Sequence, residues 1–242
     1  MISPRAARRI AIAHKWLGLV VGVQLLVWTA TGLFFTLFPI SDIRGDRLWS
    51  ASEDSVVDLS AVRVTPQEAL SSVVEDRPVS VTLRSLADKP VYEIRAEIGS
   101  FLVSAETAEV LSPISEEQAR AIASVSWLGS EEPSRMEFLE APPREAGGTG
   151  PMWAAHFEGS GRPVLYVNAV SGRPGPVRTD LWRTYDLLWS LHIMDYRSRE
   201  SFNHPLIVAA AVLALSTSLF GIALLAHRFT RGRFMKKGNT PA

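Results

Sequence analysis

Five histidines, His14, His156, His192, His204 and His227, are the side chains of this chain best suited to chemistry at neutral pH. Cysteine is absent, which removes thiolate ligation of iron–sulfur clusters, thioether attachment of haem, disulfides and thiol catalysis together. No glycine loop of the phosphate-cradling kind and no nucleotide fingerprint accompanies them. Neutral imidazole is an axial ligand for haem iron, and two facing imidazoles make a six-coordinate b-type centre for electron transfer.

Two long uncharged runs govern where these histidines lie. The first extends from Trp16 to Ser41 and the second from Pro205 to Ala226. A helix rises about 1.5 Å per residue, so each run exceeds a hydrocarbon core of about 30 Å. The first is too long for the apolar region of a secretory signal and ends in Phe-Thr-Leu-Phe-Pro, which predicts a retained anchor. His14 starts the first span and His227 ends the second, so an antiparallel pair is expected to bring them to similar depth as ligands of one haem iron. His14, Gly18 and Gly22 share one face of the first helix, and Ala209, Ser216, Ala223 and His227 form a comparable stripe on the second. His192, on an apolar stripe with Tyr185, Leu188 and Trp189, is the candidate for a second centre together with His204. His156 lies among apolar strand residues and reads as structural. Gln24, Thr29 and Thr31 are polar groups inside the first span, and helix packing is the expected reason for them.

Charge is segregated along the chain. Lys and Arg number 25, as do Asp and Glu, but every acid lies between Asp42 and Glu200. Arg5, Arg8, Arg9 and Lys15 precede that stretch, and Arg228, Arg231, Arg233, Lys236 and Lys237 follow it, leaving 16 bases against 25 acids in the middle. Basic flanks at the start of one span and the end of the other place both termini in the cytoplasm by the positive-inside rule. The central domain then lies outside, and Trp49, Trp182, Tyr185, Trp189 and Tyr196 are expected to mark the outer interface. No nucleic-acid partner is implied.

The middle reads as a repeated unit. Thr65-Pro66-Gln67-Glu68 and Ser115-Glu116-Glu117-Gln118 have capping-box spacing. Alternating strand-like runs follow the first at 79–83, 91–96 and 101–105, and the second at 135–139, 152–157 and 164–169. Residues 101–110 align without gaps on 165–174, matching Val103 with Val167 and Ala105 with Ala169. Pro142, Pro143 and Gly147–Pro151 read as a flexible surface insertion. The expected architecture is an α+β membrane protein, with a first span to residue 41, a domain over 42–180 made of repeats at 62–112 and 113–176, an interfacial amphipathic helix over 181–203, a second span over 204–228 and a basic tail over 229–242.

A capped helix, paired strands and the ending Val167-Asn168-Ala169-Val170-Ser171-Gly172 resemble the PepSY domain. His14-Lys15-Trp16-Leu17-Gly18, Leu191-His192 and Ser218-Leu219-Phe220-Gly221-Ile222 resemble motifs of PepSY-associated transmembrane proteins. The resemblance covers about residues 8 to 230. Ser104 and Asn168 stand where that domain often carries an acid, and Ala108 stands at its turn glycine. The resemblance implies a protein of the bacterial inner membrane with a periplasmic domain, working as a haem b-dependent electron-transfer or ferric-siderophore reduction component, or as an accessory subunit of one. If the protein is an enzyme, it is then an oxidoreductase component of the ferric reductase kind. Its electrons would come from quinol or from a partner protein, since no flavin or nicotinamide domain is visible. The competing expectation is a non-enzymatic periplasmic interaction, assembly or protease-regulating module anchored by two helices, with membrane lipid and a protein partner or a second copy as its contacts.

Overall fold

The computed structural model describes residues 4–51, 56–73, 78–97 and 99–237, so residues 238–242 of the basic tail lie outside the described residues. The chain is α+β and divides into two units, residues 39–184 and residues 1–38 with 185–242.

In the second of these units, α1 (Pro4–Leu37) and α6 (Pro205–Lys237) are helices long and apolar enough to cross a membrane, over Arg8–Leu37 and Pro205–Phe229. The first helix stops at Leu37 rather than Ser41, because the residue before Pro39 is disfavoured in helical geometry. Pro205 opens α6, where its missing amide proton leaves no helical bond unmade. Helix α5 (Asp180–Ile193) and the loop after it complete the unit from Tyr185 onward. Asp195 shapes that loop by accepting from Ser198 and from the backbone amides of Arg197, Glu200 and Ser201, which holds its carboxyl well below the usual carboxylate range.

The 39–184 unit opens with a short helix, α2 (Ile40–Arg44), and contains two antiparallel sheets. One comprises β1 (Pro78–Leu86), β2 (Lys89–Ala96) and β3 (Gly99–Ser104) in that order. The other comprises β4 (Arg135–Leu139), β5 (Met152–His156), β6 (Val164–Asn168) and β7 (Pro174–Arg178). Helix α3 (Pro66–Ser71) precedes the first sheet and α4 (Glu116–Ser126) the second. Both begin with the expected capping box. Thr65 N–H donates to Glu68 at 2.7 Å while Glu68 N–H donates back to Thr65, and Ser115 and Gln118 exchange the same pair at 2.8 and 3.2 Å. Strand β7 was not anticipated, since its Pro174 and Pro176 argue against strand until it is seen to be the edge of its sheet.

One turn occurs twice, after β3 and after β6. The Ser104 hydroxyl accepts from the amides of Glu106 and Thr107, and the Asn168 carboxamide oxygen accepts from those of Val170 and Ser171. Ala108 N–H returns to Ser104 O at 3.0 Å and Gly172 N–H to Asn168 O at 2.8 Å. Val103 then faces Val110, as Val167 faces Pro174. A short side-chain oxygen, the hydroxyl of Ser104 or the carboxamide of Asn168, closes each turn. The carbonyls of Ala105 and Ala169 also match, receiving Val64 N–H and Ile114 N–H just before the capped helices.

Alternation along the strands gives each sheet two buried faces. Val91 and Leu102 of the first sheet join Ala155, Leu165, Val167 and Val177 of the second in one core beneath Ile122 and Ala123 of α4. The opposite faces make smaller clusters, one around Tyr92, Ile94 and Val103 and one around Met152, Ala154 and Tyr166. Trp49 also belongs to this unit, pairing its backbone with Trp127 and packing against the main core. The 142–151 insertion is tied down rather than loose. It carries a short 3-10 turn, Arg144–Ala146, in which Glu145 accepts from Tyr166 at 2.7 Å and from Arg183 at 2.9 and 3.0 Å. Glycine and proline content signalled the chain reversal but not this anchor.

Glu93 is only 3% exposed, and it joins the halves electrostatically. It accepts from Arg84 at 2.8 Å, from Arg173 at 3.0 Å and from Arg95 at 3.1 Å, while Arg84 also donates to Ser171 O. Burial pushes its carboxyl up, but the hydrogen bonds from Arg173 and Arg95 and the charges of Arg173 and Arg84 outweigh that and hold it below the ordinary value.

Two stability measurements check these assignments. Glu93→Gln removes the charge that three guanidinium groups share and is expected to lower the unfolding free energy of the full chain by about 2 kcal/mol. Because the folded carboxyl is the stronger acid, its stabilisation is complete above the unfolded value and disappears as pH falls through the folded one, so the variant loses its deficit in acid. Ala108 sits at φ 61° and Gly172 at φ 63°. Ala108→Gly is expected to stabilise the chain by about 1 kcal/mol, and Gly172→Ala to cost about 1–2 kcal/mol, since an added Cβ also lies 2.8 Å from Leu86 Cδ1. Equal effects at the two positions in urea titrations would refute this account.

Candidate functional site

His14 lies against α6. Its Nδ1 is 2.9 Å from the Thr217 carbonyl, an oxygen that can only accept, so Nδ1 carries the proton. Nε2 is then the lone-pair nitrogen, and among the described residues it has no hydrogen-bond partner. The ring rests on Gly221, where a Cβ would come within 3.0 Å of Cε1. Glycine at 221 is therefore explained by the imidazole that covers it.

The α6 surface that meets α1 contains Thr217 and Gly221, with Gly18 approaching Thr217 Cγ2. This is displaced from the expected stripe of Ala209, Ser216, Ala223 and His227. Gly22 has open space beside it rather than a neighbouring helix. His227 is half-buried and lies six residues beyond Gly221, about 9 Å further along α6. The structure thus does not bring His14 and His227 to one depth, and a single iron between them is a poor fit to this packing. Equal closeness to the chain ends misled because the helices cross with His14 opposite residues 217–221.

His192 is held at the other end of α1. Thr31, 4% exposed, donates its hydroxyl proton to Val27 O at 2.8 Å and accepts from His192 Nδ1 at 2.7 Å. His192 Nε2 is again the lone-pair nitrogen. Trp28 Nε1–H donates to His192 O at 2.7 Å, and the ring sits edge-on to Phe35 and parallel to Trp189 at centroid distances of 5.4 and 6.4 Å. Burial in this aromatic setting pushes the imidazole below its usual range. Thr31 in the first span therefore serves a histidine, not merely helix packing.

His204 reaches the same neighbourhood. Its Nε2 donates to Ile193 O at 2.9 Å, next to His192, leaving Nδ1 as the lone-pair nitrogen. Trp189 Nε1–H donates to Arg199 O, and Arg199 pairs with Asp186, so the loop between α5 and α6 is fastened on both sides. His156 is structural but less apolar in its surroundings than expected, since Arg135 lies at 3.0 Å and Glu137 at 3.4 Å. Burial and the Arg135 charge push it below the usual histidine range.

The residues fit haem in part. His14 and His192 each present an Nε2 whose tautomer is fixed by a hydrogen bond at Nδ1, as an axial ligand requires. They do not fit as the pair His14 and His227. Among the described residues no three of His, Cys, Asp or Glu converge on one point.

A second candidate lies in the 39–184 unit. A cavity of about 300 Å³ is lined by Thr82, Arg84, Ser85 and Leu86 of β1, Ile122 and Val125 of α4, and Gly172 and Arg173. Two of the three guanidinium groups that hold Glu93 thus border it, with Arg84 also donating to Ser85 O and Ser171 O. The hydrophobic periodicity of β2 gave no sign of this, because Glu93 is a charged residue inside a core strand.

Comparison of the chain with protein-family models, curated proteins and solved structures returns no match.

Thr31→Val keeps the shape of the side chain but removes the acceptor for His192. The expected cost is about 1–2 kcal/mol. His192 has a folded pKa below its unfolded value, so its contribution is full above the unfolded value and falls as the solution is acidified below it. Imidazole NMR shifts of His192 that are identical in wild type and Thr31→Val would show that the hydrogen bond does not set the tautomer.

Proposed function

We propose that the protein is a PepSY-associated protein of a bacterial inner membrane that serves as a haem-dependent electron-transfer or ferric-siderophore reduction component, or as an accessory subunit of one. In this reading α1 and α6 cross the bilayer, both termini are cytoplasmic and the 39–184 unit is periplasmic, in keeping with the basic flanks of the two spans. The observation that carries it is the matched state of two histidines near opposite ends of α1. His14 and His192 each fix the proton on Nδ1 through a protein acceptor and leave Nε2 as the ligating nitrogen. They are separated by the span between His14 and Thr31, about 25 Å along the helix, so each serves a different face of the membrane. Haem bound there supplies one-electron chemistry, while the chain sets the tautomer, orients each ring and excludes water around His192 with Phe35 and Trp189. The second axial ligand at the His14 level comes from outside this helix pair, from a second copy or another subunit.

The cavity beside Arg84 and Arg173 favours a second reading, a non-enzymatic periplasmic interaction, assembly or protease-regulating module whose helices are anchors. On that reading His14, His192 and His204 are only ties between helices.

Absorption spectroscopy separates the two. Protein produced with haem supply and purified in detergent is expected to show a Soret band that shifts on dithionite reduction. His14→Ala and His192→Ala should each remove part of it, with His227→Ala close to wild type. Colourless wild-type protein that is folded and fully produced would eliminate the haem reading in favour of the module.

A further inference from the structure

The α1 and α6 helices enclose a second cavity, of about 250 Å³, which the histidines do not touch. It is lined by Val20, Gln24 and Trp28 of α1, by Met194, and by Leu206, Ala210 and Ala214 among the residues of the α6 side. The lining is apolar with one exception. Gln24 Nε2 is fully buried and makes no hydrogen bond among the described residues. Trp28 cannot relieve it, because its indole N–H is itself a donor, directed to His192 O.

A buried carboxamide without a partner costs as much as a lost hydrogen bond, and more in a lipid setting where water cannot substitute. Such a group signals a missing acceptor. The acceptor has to be carried by an apolar molecule that reaches the middle of the helix pair. Gln24 lies sixteen residues after Arg8 and thirteen before Leu37, roughly 24 and 20 Å from the ends of the apolar stretch. Ester carbonyls of phospholipids are tethered to head groups at the bilayer edges and do not dwell at that depth. Val20 and Val23 on α1 and Leu206 and Leu213 on α6 are exposed at the mouth, so a hydrocarbon tail can leave sideways. The Trp28 indole adds a flat wall for stacking a planar ring.

We propose that this cavity is a binding site for the ring of a membrane quinone, with the Gln24 carboxamide rotating from its buried position to donate Nε2–H to a ring carbonyl and the isoprenoid tail running out between the helices. The inference rests on the electron-transfer reading for its purpose, since a quinone site gives that reading a small-molecule electron carrier. The binding itself stands on the cavity and Gln24 alone. Gln24 is seven residues from Thr31, about 10 Å along the helix, which sets the bound ring near His192 without contact.

The test measures quinone directly and needs no haem. Full-length protein is reconstituted in nanodiscs of phospholipid with a short-tailed ubiquinone, repurified, and its quinone content determined by solvent extraction against empty nanodiscs. Wild type is expected to retain about one quinone per chain. Ala210→Phe fills the cavity and should reduce retention at least about tenfold. Gln24→Leu keeps a shape suited to a helix in lipid, so it guards against misfolding, and should weaken titrated binding about three- to tenfold. Retention by Ala210→Phe equal to wild type, or extraction of phospholipid alone, overturns the proposal. So does efficient copy-to-copy disulfide formation by Gln24→Cys in membranes, which would mean that Gln24 bonds to a second copy. A colourless protein that still binds quinone by these measures would reject haem while leaving this site intact.

Discussion

Polar groups withdrawn from water must find partners, and that requirement explains the placement of residues in both units. In the 39–184 unit the demanding group is the Glu93 carboxylate, on the same face of β2 as Val91. Its three arginines come from β1, from β2 and from the turn after β6, so satisfying one charge fixes the first sheet against the second. In the helical unit, hydroxyls and carbonyls of the spans meet imidazoles. Thr217 O receives His14, Thr31 receives His192, and Ile193 O receives His204. Each bond joins a different pair of segments, so the histidines set the register of α1, α5 and α6.

These same bonds give the histidines their chemical character. An imidazole whose Nδ1 proton is held by an oxygen presents Nε2 as a lone pair, with its rotation restricted. Structural fastening and readiness to bind iron are therefore not opposed, because the first creates the second. What separates a ligand from a fastener is the space facing Nε2. For His14 the ring lies against Gly221 of α6, with Nε2 3.5 Å from where a Cβ at that position would stand.

Much of the fold could be read from the residues. Both long apolar helices, both capping boxes and six of the seven strands follow from charge-free length, cap spacing and alternation. The shared turn was anticipated from Val103, Ala105, Val167 and Ala169, though not the way that Ser104 and Asn168 shape it. The misjudged features are those decided between distant segments. Helix register cannot be deduced from distance to the chain ends, so His14 and His227 were set opposite each other when Thr217 and Gly221 occupy that position. Trp49 is legible as an aromatic residue after the first span, but its pairing with Trp127 is not. Glu93 carries no local pattern that announces burial, and neither does Glu145 in a segment rich in glycine and proline. Gln24 is legible as a polar residue in an apolar run, but only the packing reveals that among the described residues nothing bonds its Nε2.

The crowding at Gly172 bears on how such a chain can evolve. Leu86 and Leu102 of the first half occupy the room that a side chain at 172 would need, whereas Ala108 stands in the equivalent turn of the first half. The two turns are thus complementary rather than equivalent, the one after β6 leaving room for side chains of the first sheet. Recombination that replaced the second half by a duplicate of the first would import a methyl group into that contact. Contacts of this kind hold each turn to its own place in the chain.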